Sequence, residues 1–186
     1  MKLVDTDSLQ IYQTACGGAI QFNEETRAHL AVHQNVIEHV GEAITIISLP
    51  GKREERLRQE IDLEYVVGRS SLLTTKAIDA HTPTYFARRK GRSGDSRVVL
   101  NKSSQETSII SIVAEPIDEK RYNLISAWYG KIAPREPWDS TLLTESKAFE
   151  ESLDFWCCHA LVHEVDFMED PYESTWQEVI NNHNRV

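Results

Sequence analysis

At 186 residues, 40% hydrophobic and 26% charged, the chain is long enough to bury a real core and has the make-up of an ordinary globular protein. No stretch approaches the roughly 20 apolar residues of a membrane helix, and three cysteines, two of them the neighbours Cys157 and Cys158, exclude a disulfide framework. A net charge of −9, with twelve acids against two bases from Glu136 onward, argues against a surface that binds nucleic acid all over.

The opening MKLVDTDSLQIYQTACGGAI carries acids where a signal peptide would have a clean apolar centre, so a reducing, cytoplasmic location is expected. Gly17-Gly18 marks a turn before a short strand, Ala19 to Phe22. Asn23 is placed to cap a helix, and Glu24 and Glu25 suit the positive end of its dipole; that helix is expected to run to about Gln34. Asn35, with Glu38 three residues on, reads as a second cap. Val36, Ile37, Val40, Ile44 and Ile47 then form an apolar stripe at helical spacing, ended by Pro50-Gly51. KREERLRQE reads as a charged connector or short exposed helix.

From Asp62 the period changes to that of strands. Glu64 to Gly68 and Ser71 to Thr75 are strand material, and Asp79 to Pro83 a loop. Thr84 to Asn101, TYFARRKGRSGDSRVVLN, reads as a hairpin with strands near Thr84–Lys90 and Ser96–Asn101, reversed around Gly91 and Gly94. TSIISIVAE, from Thr107, is the most β-branched stretch and a central strand. RYNLISAWYG, from Arg121, is another, with Tyr122, Leu124, Ser126 and Trp128 on one face. A loop rich in proline leads to a helix from about Ser146 to His163, and a last short helix covers Trp176 to Asn182. The expected fold class is α+β: N-terminal helices, a four- to five-stranded antiparallel β-meander, then helical decoration. The whole of 1–186 reads as a single domain, with 140–186 an acidic helical extension.

The hairpin holds the strongest chemical signal. Arg88, Arg89, Lys90, Arg92 and Arg97 face a single acid, Asp95, so a local +4 stands inside an acidic protein. Guanidinium forks suit phosphate and carboxylate oxygens, which makes the strip an anion site; a charged edge that keeps a sheet soluble is the competing account. His29 and His33 share a helix face at i, i+4. HLAVH lacks the glutamate of a zincin helix and no third ligand is evident, so a proton carrier fits better than a metal site. Cys157, Cys158 and His159 point about 100° apart on a helix, which suits small core residues better than ligands. Neither a metal nor another cofactor is implied.

These residues, RAHLAVHQNVIEHVGEAI, then the Arg-rich hairpin, then RYNLISAWYGKIAP, resemble the barnase/EndoU/colicin/RelE-like (BECR-fold) ribonuclease superfamily, in its phage and bacterial toxin-type members. The resemblance covers roughly Ile20 to Asp139. Where those members carry His-Pro-Glu and a late Thr-Ala-Tyr, this chain has His33-Gln34-Asn35 and Ser126-Ala127-Trp128. The resemblance implies metal-independent RNA cleavage through a 2′,3′-cyclic phosphate. His33 would be the proton carrier and His29 next in line, with Arg89 and Arg97 on the phosphate and Ser126 orienting it. Arg88, Lys90, Arg92 and Trp128 would hold the RNA. A non-catalytic module binding RNA, a nucleotide or a protein partner on the same fold is the alternative. For the catalytic reading, imidazole and guanidinium have to line one hollow.

Overall fold

The structure, a computed structural model, describes residues 9–31, 36–48, 56–142 and 144–184. In chain order, β1 (Gln10–Gln13) and β2 (Ala19–Phe22) precede α1 (Glu24–Ala31) and α2 (Ile37–Ile46). Three strands follow: β3 (Leu57–Asp62), β4 (Gly68–Ser70) and β5 (Leu72–Thr74). The arginine segment forms β6 (Thr84–Arg88) and β7 (Asp95–Val99), followed by β8 (Gln105–Thr107), β9 (Ile109–Pro116) and β10 (Arg121–Tyr129). Last come α3 (Ser146–Cys158), β11 (His159–Val162), β12 (Tyr172–Ser174) and α4 (Trp176–His183). The chain is α+β. Its described helices are none of them long and apolar enough to cross a membrane.

The strands do not form one meander. The chain divides into two compact units, Met1–Ser70 with Glu106–Ile132 and Ser71–Gln105 with Ala133–Val186. Each is assembled from two separate stretches of sequence. The acidic last quarter is no appendage to a finished domain, because it supplies α3, β11, β12 and α4 to the second unit.

In the first unit the sheet order is β1-β2-β10-β9-β3. Strands β2 and β10 run parallel, and the other pairs are antiparallel. β9 lies between β10 and β3, as its β-branched content predicts. Asn23 caps α1, accepting a bond from the Thr26 amide at 2.9 Å. The α2 stripe is buried as its spacing requires: Val36, Val40, Ile44 and Ile47 pack with Ile20, Phe22, Ile110, Ile112 and Leu124. Each such side chain contributes about 1.5–3 kcal/mol of burial free energy. The expected cap Asn35 lies outside the described residues; Val36 stands at the N-cap position with no side-chain cap bond.

Two expectations fail here for identifiable reasons. LRQE, the end of the segment expected to be a charged connector or short exposed helix, opens strand β3, with Leu57 and Ile61 buried against β9. Its charges alternate with those two apolar residues and so face outward, and pairing with β9 overrides a polar composition. Glu64 to Val67 is not strand, since Glu64 turns the chain at φ 64°. On β10 the register against β9 shifts between Leu124 and Ser126. That bulge reverses the alternation, so Tyr122 and Leu124 are followed into the core by Ala127 and Tyr129. Ser126 and Trp128 therefore do not share the face of Tyr122 and Leu124.

In the second unit the sheet order is β12-β6-β7-β11-β5, with β7 and β11 parallel and the other pairs antiparallel. Phe86, Trp156, Trp176, Val179 and Ile180 form its core. Helix α3 stops at Cys158 instead of continuing to His163. His159 to Val162 are recruited as β11, with Leu161 beside both Leu72 and Val98. Helix α4 begins with a full capping box, in which Thr175 accepts from the Glu178 amide and Glu178 reaches back to the Thr175 amide.

Candidate functional site

The hairpin β6–β7 sets the direction of each cation. Phe86 pairs with Arg97 and Arg88 with Asp95 across the two strands, so Arg97 leaves the same sheet face as the buried Phe86. It is 5% exposed. Its Nη1 donates to the carbonyls of Trp156, Cys157 and His159 at 3.2, 2.9 and 3.3 Å. Arg97 is thus the C-terminal cap of α3, satisfying carbonyls the helix leaves open and placing a cation at the negative end of its dipole. Burial pushes the guanidinium below its ordinary pKa, while the nearby Cys157 and Cys158 oppose that shift. The role of phosphate contact expected for Arg97 is overturned, because its donors point into the protein.

Arg89 is also engaged. Its Nη2 donates to Glu136 Oε1 at 2.8 Å, and Ser96 Oγ donates to the same oxygen at 2.6 Å. Glu136 is only 8% exposed, so a buried carboxylate has both a cation and a hydroxyl to satisfy it. Lys90 Nζ donates to the Val165 carbonyl at 2.9 Å. Arg88 keeps a 43% exposed side chain, with Nη2 at 3.8 Å from Asp95 Oδ2. Arg92 is exposed in the turn that Gly91 makes possible at φ 76°, and its guanidinium has no partner among the described residues.

Asp95, the one acid of the strip, is the centre of a constellation that no sequence spacing announces. It is 5% exposed. His183, in the last turn of α4, holds Nε2 at 3.0 Å from Asp95 Oδ2. A carboxylate only accepts, so Nε2 carries a proton, and whenever the ring is neutral Nδ1 is the acceptor. Trp138 stacks on the imidazole at 4.7 Å between ring centroids and donates its indole N–H to the Asp95 carbonyl at 2.5 Å. A Cβ at Gly94 would stand 1.8 Å from the Trp138 ring, so this seat requires glycine. Tyr172 lies against the same carboxylate. Burial, then the charge of Asp95, pushes its phenol up to about 12, which keeps it a donor at neutral pH.

His29, Ser126 and Trp128 belong to the first unit, and the five cations of the strip to the second. His29 is exposed on α1, and His33 lies outside the described residues. Ser126 and Trp128 are half-buried, and the Trp128 indole donates to the Lys131 carbonyl at 3.3 Å. Also in the first unit, His39 Nδ1 lies 2.8 Å from the Tyr129 hydroxyl, and Tyr65 donates to Glu42 at 2.6 Å. Burial first, then Glu38, raises the Tyr129 pKa. His159 and His163 are each tied to a backbone carbonyl, of Phe155 and Glu169. Among the described residues, no three His, Cys, Asp or Glu side chains form a group that could hold a metal ion.

No protein-family model, curated protein or solved structure matches this chain. The site therefore stands on its own geometry. It offers an oriented imidazole, an exposed guanidinium at the same carboxylate and a protonated phenol. Such a set can bind an oxyanion and move a proton beside it. The signal available in the sequence was Asp95, a lone acid inside a cationic run. His183, 88 residues away, carried none.

Proposed function

We propose that this chain cleaves RNA without a metal ion, leaving a 2′,3′-cyclic phosphate, with Arg88 and Arg92 on the scissile phosphate. The 2′-hydroxyl supplies the nucleophile, so neither a metal-bound water nor a catalytic serine is needed. The reading rests on the outward cations of the hairpin: Arg88 and Arg92 stay exposed, while Arg89, Lys90 and Arg97 each donate to a protein oxygen and hold the ribbon in place. A ribbon held at several points presents its guanidinium groups with little reorganisation as charge develops on phosphorus. The order of helices, hairpin and late strand, and the resemblance it carries, supports the same reaction.

The test is labelled RNA incubated in EDTA with wild-type protein and with the double variant R88A/R92A. Wild-type protein yields fragments ending in cyclic phosphate, and the double variant is slower by about 100-fold, the scale for losing a preorganised charge donor. Equal cutting by both would trace the activity to a contaminant.

A binding module without catalysis is the second reading, favoured by one observation. Arg89 is already neutralised by Glu136, and the second unit holds fourteen acids against ten bases. Cleavage separates the ribonuclease from a module that only binds RNA or a nucleotide, and salt separates both from a protein contact. Phosphate binding through guanidinium groups weakens steeply as ionic strength rises, whereas an apolar protein contact does not.

A further inference from the structure

The reaction proposed above needs a proton carrier close to the exposed arginines of the hairpin. Resting on that reading, we infer that His183 is the catalytic proton carrier, oriented by Asp95 and Trp138, with its Nδ1 facing the phosphate that Arg88 holds.

Three observations converge on this ring. Its Nε2 is bound to a buried carboxylate at 3.0 Å, the arrangement in which a third group orients a base. Its face is covered by Trp138, so the ring plane is set as well as the tautomer. Its side chain is still 21% exposed, and Nδ1 has no hydrogen-bond partner among the described residues. The ring also rides on a rigid element. Helix α4 is boxed at its start by Thr175 and Glu178 and anchored by Trp176, Val179 and Ile180, all buried. Arg88 Nη2 stands 3.8 Å from the oxygen that holds the imidazole, so one carboxylate indexes both the cation and the base.

The step balances with the groups present. Neutral Nδ1 takes the proton of the 2′-hydroxyl as the O2′–P bond forms and the P–O5′ bond breaks. The departing O5′ takes a proton from water, and the hydroxide so formed takes the proton back from the imidazolium. Asp95 stays ionised throughout and is a positioning residue, as is Trp138.

The experiment pairs RNA cleavage in EDTA with an NMR titration of the histidine Hε1 signals by uridine 3′-monophosphate. Wild-type, H183Q and the control H81A are compared; His81 is exposed and outside the constellation. Glutamine keeps an amide donor for Asp95, and an unchanged thermal midpoint shows that H183Q is folded. H183Q is expected to cut at least about 100-fold more slowly, within the usual range for general acid–base groups, with H81A at the wild-type rate. The signal missing from H183Q is the one that moves with the nucleotide in wild-type protein. D95N is expected to shift the His183 tautomer, read from its imidazole ¹⁵N signals. Cutting by H183Q at the wild-type rate overturns the assignment while leaving the ribonuclease reading in place. A His183 signal indifferent to the nucleotide overturns it equally. Wild-type protein that cuts no RNA defeats the ribonuclease reading and the transfer step with it.

Discussion

Arginine residues separated by a few positions on one hairpin do unlike work, and burial decides which. Arg97, fixed on the inner face by its pairing with Phe86, caps α3 through three carbonyls. Arg88 on the same ribbon keeps its head largely in water. The two predict opposite mutational signatures. Arg97→Leu removes the side-chain donor to the carbonyls at the end of α3, of which Cys157 keeps the Ile78 amide, and is expected to cost about 2–3 kcal/mol, read as a lower urea midpoint at unchanged slope. Arg88→Ala is expected to leave the midpoint within about 0.5 kcal/mol, because the arginine is solvent-screened and stands 3.8 Å from Asp95, which His183 still satisfies. A large loss from the second and none from the first would reverse the roles assigned here.

Among elements, those with internal signals were legible. Asn23 with Glu24 and Glu25 announced α1, the stripe from Val36 to Ile47 announced α2, and TSIISIVAE announced the central strand. Strand β3 and the end of α3 were not legible. Their state depends on neighbours far away in the chain: β9 for the first, and β5, β7 and Arg97 for the second. The bulge on β10 belongs to the same class, since an extra residue shows only against a partner strand. Helix α4 matters most for the site, because its last turn delivers His183. Thr175→Ala removes the cap and is expected to cost about 1 kcal/mol of stability. It is also expected to broaden the His183 imidazole signals as the helix start frays, measurable by NMR below the unfolding transition.

For the molecule as a whole, the interleaving of the two units is the main consequence of tertiary structure. A hairpin that reads as complete by itself is the middle of a five-stranded sheet whose β12, β11 and helical cover lie after Ala133. A chain ending at Ile132 therefore lacks the partners of β6 and β7 on both sides. Isolated two-stranded ribbons are marginal in water. Amides of 84–88 and 95–99 are expected to lose hydrogen-exchange protection in that truncation. Full protection there would show that the hairpin folds without the last quarter.

Composition and local pattern were enough, without coordinates, to establish the α+β class, the N-cap of α1, the α2 stripe, the central strand and the cationic hairpin. Each of these is set by residues within a few positions of one another, so each can be read locally. Which guanidinium groups meet solvent, and which imidazole meets Asp95, was decided only in three dimensions. Burial and cross-strand pairing act between residues as distant in sequence as Ala19 and Arg121, and the hydrophobic effect that drives them carries no mark of sequence distance.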